Sequence, residues 1–284
     1  MRKLLAGAHM SIAGGLHKAF DRGLQVQCNT IQIFLKNSNR WEAKVLTEED
    51  CILFRKAQRE SGISPVLAHD SYLINLASPD PALYRKSLEA FVGEMDRANR
   101  LGVPYLVLHP GAHTGEGVAA GIRRIAGALN VALRRVPPPL TILLENTAGQ
   151  GSSLGRRFEE LAAILDRIEE KDRVGFCLDT CHAFAAGYDM RTEDGYSRTL
   201  RDFDRLIGIE KIRAFHVNDS KKDLGSRVDR HCHIGEGLLG LSAFRLLVND
   251  ARFAAIPKIL ETPKGEGSRE DRRNLATLRR LIRD

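Results

Sequence analysis

The stretch IRAFHVNDSKKDLGSRVDRHCHIGEG, Ile212 to Gly237, decides how the rest of the chain is read. An apolar run carries His216 and opens into a charged loop that offers Asp219, Asp223, Asp229, His231 and His233 beside Lys221, Lys222, Arg227 and Arg230. Histidines and carboxylates are the ligands of divalent metals, and lysines and arginines bind phosphates. An apolar strand delivering a polar residue into a loop is a pattern that recurs along the whole chain.

Working outward, eight short runs rich in β-branched residues alternate with longer amphipathic stretches. The strands are read at Leu4–His9, Thr30–Leu35, Ser64–His69, Tyr105–His109, Thr141–Glu145, Val174–Asp179, Ile212–Val217 and Ile256–Glu261. Helices fall at Leu16–Val26, Glu48–Ser61, Pro81–Leu101, Gly117–Arg135, Arg157–Ile168, Tyr196–Ile209, Leu241–Asn249 and Arg269–Arg283. Eight β/α units predict a (β/α)8 TIM barrel, one domain over residues 1–284. Thr47 with Asp50 marks one helix start and Ser78-Pro79 another, while Pro137-Pro138-Pro139 ends the fourth helix ahead of the fifth strand.

Composition narrows the class. With 43% hydrophobic and 28% charged residues the chain reads as a soluble globular protein, and no apolar run approaches the roughly 18 residues of a membrane span. The opening MRKLLAGAHMSIAGG lacks the apolar segment of a secretory signal, so a cytoplasmic location is expected, with no membrane partner. Five cysteines, an odd number with no CxxC pair, argue against a disulfide framework or a zinc ribbon. They are expected as buried thiols, with Cys181 and Cys232, each next to a histidine, as minor candidates for ligation. A net charge of +7 is compatible with a nucleic-acid partner without requiring one.

Six strands close on a residue able to bind metal: His69, His109, Glu145, Asp179, His216 and Glu261. All strands of a TIM barrel point the same way, so these side chains would gather in one ring at the C-terminal face. Any one of them could cap a helix or face water, but six in eight strands otherwise built of Leu, Ile and Val favour a metal site. His182, three residues after Asp179, and the pair Asp229 and His231 extend the ring. Nine ligands are too many for one tetrahedral ion and suit two or three ions sharing a bridging carboxylate. Mixed histidine and carboxylate ligation suits zinc, with manganese or iron as the other candidates.

Three long motifs, LENTAGQG at Leu144 to Gly151, LDTCHAFAAGYD at Leu178 to Asp189 and HVNDSKKDLGSRVDRHCHIGEG at His216 to Gly237, resemble the signature stretches of the endonuclease IV family of apurinic/apyrimidinic endonucleases. GAHMSIAGGL, KNSNRW, AHDSYLINLAS and LHPGAHTG resemble further family segments, so the likeness runs from about Gly7 to Glu261. The resemblance implies three zinc ions per chain, with manganese a possible substitute. The first would take His69, His109 and Glu145; the second Glu145 as a bridge with Asp179, His216 and Glu261; the third His182, Asp229 and His231.

It further implies a monomeric DNA repair enzyme that hydrolyses the phosphodiester 5′ to an abasic site in duplex DNA with a zinc-activated hydroxide, leaving a 3′-hydroxyl and a 5′-deoxyribose phosphate. Glu145 would hold the ion pair and Glu261 would orient the nucleophile. Tyr72 and Leu73 match positions that wedge into the base stack, and Asn39 stands where a family member carries arginine, with Arg40 beside it. Lys36, Lys221, Lys222, Arg227 and Arg230 are candidate phosphate contacts, and His9, His113 and His233 supporting groups. The competing expectation is a metal-dependent sugar isomerase or epimerase on a related barrel, which needs only one or two ions. An inert DNA-binding module would have no reason to keep the ligand ring.

Overall fold

In the computed structural model, which describes residues 4–283, each of the eight apolar runs contains a strand. The strands are β1 (Ala6–Ala8), β2 (Ile31–Phe34), β3 (Val66–His69), β4 (Tyr105–Leu108), β5 (Thr141–Glu145), β6 (Val174–Asp179), β7 (Ile212–His216), β8 (Asp219–Ser220), β9 (His231–Cys232) and β10 (Lys258–Leu260). The helices are α1 (Lys18–Gln25), α2 (Glu48–Ser61), α3 (Pro81–Leu101), α4 (Val118–Arg135), α5 (Phe158–Leu165), α6 (Thr180–Ala186), α7 (Glu193–Leu206), α8 (Gly240–Asn249) and α9 (Arg269–Arg280).

Eight strands pair in parallel in the order β1-β10-β7-β6-β5-β4-β3-β2. The two edges meet through a parallel bridge between His9 and Gln32, where the Met10 N–H donates to the Gln32 carbonyl at 2.7 Å. With the helices packed outside, this is the expected TIM barrel. A Cβ at Gly7 would overlap the Thr30 carbonyl oxygen, so the approach of β1 to β2 depends on glycine.

Strand periodicity divides the core in two. Leu67, Val107, Leu143, Cys177, Ala214 and Ile259 point inward and fill the barrel, while neighbours such as Ala68, Leu144, Phe176 and Phe215 point outward into the larger layer under the helices. Side chains two residues apart on a strand face the same way. The residues two beyond the inner six are His69, His109, Glu145, Asp179, His216 and Glu261. A ring of potential ligands therefore sits directly above the apolar plug.

Local signals set the helix limits. Thr47 and Asp50 form a reciprocal capping box at α2, as their spacing predicts. At α3 the cap is Asp80, with Pro81 at the first helical position, whereas Ser78 accepts from the Asp80 N–H one step earlier. The seven-residue helix α6 and the β8–β9 hairpin were not foreseen from periodicity, being too short to show one. Among the described residues no helix is long and apolar enough to cross a membrane, and all five cysteines are free and buried.

Candidate metal centre

Glu145 ends β5 at the middle of the ring and is fully buried. Its Oε2 lies 3.3 Å from His69 Nε2 and 3.2 Å from His109 Nε2, and its Oε1 lies 3.0 Å from His216 Nδ1 and 3.1 Å from His182 Nδ1. One carboxylate thus faces imidazoles on both sides, as a bridging ligand must. His216 Nδ1 is also 3.2 Å from Glu261 Oε2, and His231 Nε2 is 3.7 Å from Asp179 Oδ2.

Beyond this pair of groups, α6 and the hairpin build a third. Asp179 closes β6 and its Oδ1 accepts the His182 N–H at 2.7 Å, so one residue both ends the strand and starts the helix that brings His182 back to the ring. Antiparallel β8 and β9 pair Ser220 with His231 and Asp219 with Cys232, which turns the chain so that Asp229 and His231 face His182. The distances are 3.2 Å from His182 Nε2 to Asp229 Oδ2 and 3.3 Å from His231 Nε2 to Asp229 Oδ1.

Asp219, a candidate of the opening stretch, has another task. Its buried carboxylate accepts backbone N–H groups from Gly235, Gly237, Leu239 and Gly240, fixing the chain that follows β9. His233 is held by Asn274 of α9 at 3.1 Å, and His113 Nδ1 accepts the Gly117 N–H. Both histidines thus brace the chain around the ring and, among the described residues, belong to no donor set.

Three donor sets follow, each with ligand atoms within 4.8 Å of one another: His69, His109 and Glu145; Glu145, Asp179, His216 and Glu261; His182, Asp229 and His231. These are the same residues that the family resemblance groups together. Imidazole nitrogen mixed with carboxylate oxygen is a donor set that suits zinc. A fourth set, Asp179, Cys181 and His231, reuses ligands of the others, and burial pushes the Cys181 thiol up to about 12, away from the thiolate that ligation needs.

Tautomers are fixed from outside the ring. His69, His182 and His231 donate from Nδ1 to the carbonyls of Asp70, Asn146 and Glu261, at 2.9, 2.9 and 3.1 Å, which aims Nε2 inward. His216 is reversed: its Nε2 donates to Gln32 Oε1 at 2.8 Å and Nδ1 faces the carboxylates. Gln32 also donates to Glu261 Oε1 at 2.7 Å and to His9 Nδ1 at 3.0 Å. Sequence reading missed this residue, whose signal is a polar side chain at an inward position of an otherwise apolar strand.

The electrostatics are those of a buried anionic ring held by positive charge. Burial opposes the charged form of Glu145, yet His216 and His109 hold its carboxyl well below the usual carboxylate range. Burial likewise works against Asp229, but His182 brings it down to about 2. Burial alone would lower His69; Glu145 overrides it and raises the imidazole to about 9. His182 and His216 are also raised against burial, the first chiefly by Asp179 and the second by Cys177 and Glu145. His69, His182 and His216 are thus favoured in their charged form where divalent cations would neutralise the same oxygens.

The ring opens to the surface through clefts. One of about 230 Å³ lies beside His69, Tyr72 and His109, and another of about 530 Å³ beside His109, Gln150, His182, Asp229 and Arg230. Tyr72 stands at the rim, 65% exposed, with its ring 5.2 Å from Phe34 and 6.1 Å from His69. Leu73 is half-buried, and so is Asp229 at the edge of the second cleft, while Asn39, Arg40, Lys221, Lys222, Arg227 and Arg230 are exposed. Lys36 is only 7% exposed, and its ammonium lies against Glu94 and donates to the Arg40 carbonyl.

Comparison with known proteins places this geometry. A family model described as a xylose isomerase-like TIM barrel matches residues 20–281. A probable endonuclease 4 of Chloroflexus aggregans (strain MD-66 / DSM 9485) is 55% identical over 278 residues, covering 98% of this chain and 97% of that protein. The crystal structure of endonuclease IV from Thermus thermophilus superposes with a TM-score of 0.85 at 36% identity, over 97% of this chain and 98% of that one. D-allulose 3-epimerase from Methylomonas sp. reaches a TM-score of 0.67 at 16% identity, over 99% and 98% of the two chains, a likeness of fold alone.

Proposed function

The chain belongs to the endonuclease IV family, and we propose that it is a DNA repair endonuclease that hydrolyses the phosphodiester 5′ to abasic sites, acting as a single cytoplasmic domain and a monomer. The observation that carries the reading is the convergence of three donor sets on one ring, two of them sharing Glu145. A sugar epimerase on the same barrel needs one or two ions, and nine ligands exceed that. Zinc ions held by the three sets would activate water as the nucleophile and neutralise charge on the phosphoryl oxygens and the departing 3′-oxygen.

The chain's own residues have separable tasks. Glu145 joins the first two sets through its two oxygens, and the carbonyls behind His69, His182 and His231 keep each nitrogen aimed at the ring. Glu261, partly open to solvent and tethered by Gln32, would orient the attacking water. Opening a duplex costs least where no base stacks or pairs, and exposed Tyr72 with Leu73 beside it would enter the vacated stack. Asn39, Arg40 and Arg230 would meet the backbone nearby.

Elemental analysis of the purified protein, paired with nicking of an abasic duplex before and after chelation, tests the reading. The expected result is about three zinc per chain, with nicking lost on chelation and restored by zinc. One metal per chain and no nicking would sink it.

A further inference from the structure

The inward turn of Lys36 belongs to a larger arrangement. Its side chain, 5% exposed, lies 3.5 Å by Nζ from Oε1 of Glu94 on α3, itself 2% exposed, and Nζ donates to the Arg40 carbonyl at 2.5 Å. The same Glu94 oxygen accepts the Ser71 N–H at 3.3 Å, and Ser71 Oγ donates to the Ser38 carbonyl at 2.5 Å. The loop after β2, carrying Asn39 and Arg40, and the loop after β3, carrying Tyr72 and Leu73, are thereby tied to each other and to α3 by one buried ion pair.

A buried ammonium must stay paired, since breaking such a pair leaves an uncompensated charge. Lys36 therefore cannot swing out to a phosphate without stranding Glu94, whose carboxyl is already pushed up by burial and steadied by Lys36. Glu94 has no other cation within ion-pairing distance among the described residues.

We propose that Lys36 and Glu94 form a brace that sets the two rim loops relative to one another, so that Lys36 is a positioning residue for lesion recognition and not a phosphate contact. The proposal rests on the DNA-directed reading given above for what the loops do, though not for whether the brace exists.

Lys36→Met, Glu94→Gln and the double variant separate the alternatives. Amide hydrogen exchange in the DNA-free protein reads the brace directly: exchange should quicken in residues 37–41 and 70–74 together in either single variant. With an abasic duplex, each single variant should raise KM about tenfold or more while kcat changes little, and the double should be no worse than the poorer single. The slope of log KM against log salt should be unchanged, because no phosphate contact is lost. Lys36→Arg, which keeps the charge, should recover part of the KM effect and serves in place of Lys36→Met if that variant does not fold. Unchanged exchange in residues 70–74 overturns the brace, and a fall of about one in the salt slope overturns the positioning role. If the parent protein nicks no abasic duplex, the functional reading fails while the exchange result still judges the brace.

Discussion

At the scale of single residues, Glu145 carries the greatest consequence. It faces four imidazoles with two oxygens at 3.0 to 3.3 Å, and it has no exposed surface on which water could replace it. Glu145→Ala should therefore reduce kcat on an abasic duplex by about a thousandfold or more, the order seen on removing a major electrostatic stabiliser, while DNA binding persists. Near-normal turnover in that variant would refute the cluster. Gln32 acts one step removed, holding His216 by one end of its amide and Glu261 by the other. Gln32→Ala should weaken metal retention by about 10–100-fold, the usual cost of losing an outer partner of a ligand, and this is measurable as faster zinc loss to a chelating dye without any DNA present. Wild-type retention would mean that the two ligands orient themselves. The nine candidate ligands are legible in the sequence because each is polar where a strand should be apolar or falls in a motif beside one; Gln32 is not, since it lies mid-strand and away from the strand ends. The burial of Lys36 is illegible for a related reason: lysines are almost always exposed, and the partner beside this one stands on a distant helix.

At the scale of elements, the barrel strands are readable because most inward and outward positions are apolar up to the strand ends, with Gln32, Arg213 and Lys258 as exceptions. Leu67 and His69, Leu143 and Glu145, and Ile259 and Glu261 are three examples of an inner plug residue followed two positions later by a candidate ligand. The β8–β9 hairpin and α6 were opaque, since two-residue strands and a seven-residue helix are fixed by tertiary contacts: Gly225 and Arg227 donate to the carbonyls of Phe184 and Ala185, locking the loop onto α6. The loop after β3 is a middle case, recognisable by its motif, with its conformation set by Ser71 and Glu94. Its exposed Tyr72 stands over Phe34 with nothing covering the outer face among the described residues. Removing one base–aromatic stack costs about 1–3 kcal/mol, so Tyr72→Ala should raise KM for abasic duplex by about tenfold while leaving the zinc content intact. Loss of zinc in that variant would show that Tyr72 supports the metal ring through His69 and is no wedge.

At the scale of the whole molecule, metal and protons compete for one set of atoms, and that fixes how stability should vary with pH. In chelated protein His69 keeps its proton up to about pH 9, whereas the unfolded side chain releases it near about 6.5. This contribution is fully present below about pH 6.5 and is lost as pH rises through about 9, and the raised His182 and His216 act in the same direction. The depressed carboxyls do the opposite: Asp229 stabilises the fold above about pH 4 and ceases to as pH falls through about 2, with Glu145 following it. Chelated protein should therefore be most stable in mildly acidic to neutral solution. A cation must displace the imidazole protons to bind, so its stabilising effect grows over the range in which the chelated form weakens. The apolar plug and the outer helical layer lie below and around the ring, not through it, so the barrel should remain folded without metal. Thermal unfolding of chelated and zinc-loaded protein at about pH 6.5 and about pH 8.5 should show two folded species whose difference in Tm is larger at the higher pH. Zinc binding measured calorimetrically in buffers of different ionisation enthalpy should release protons at neutral pH. A Tm difference independent of pH, together with no proton release, would mean that the imidazoles of the ring are already neutral and that the carboxylates hold them by position alone.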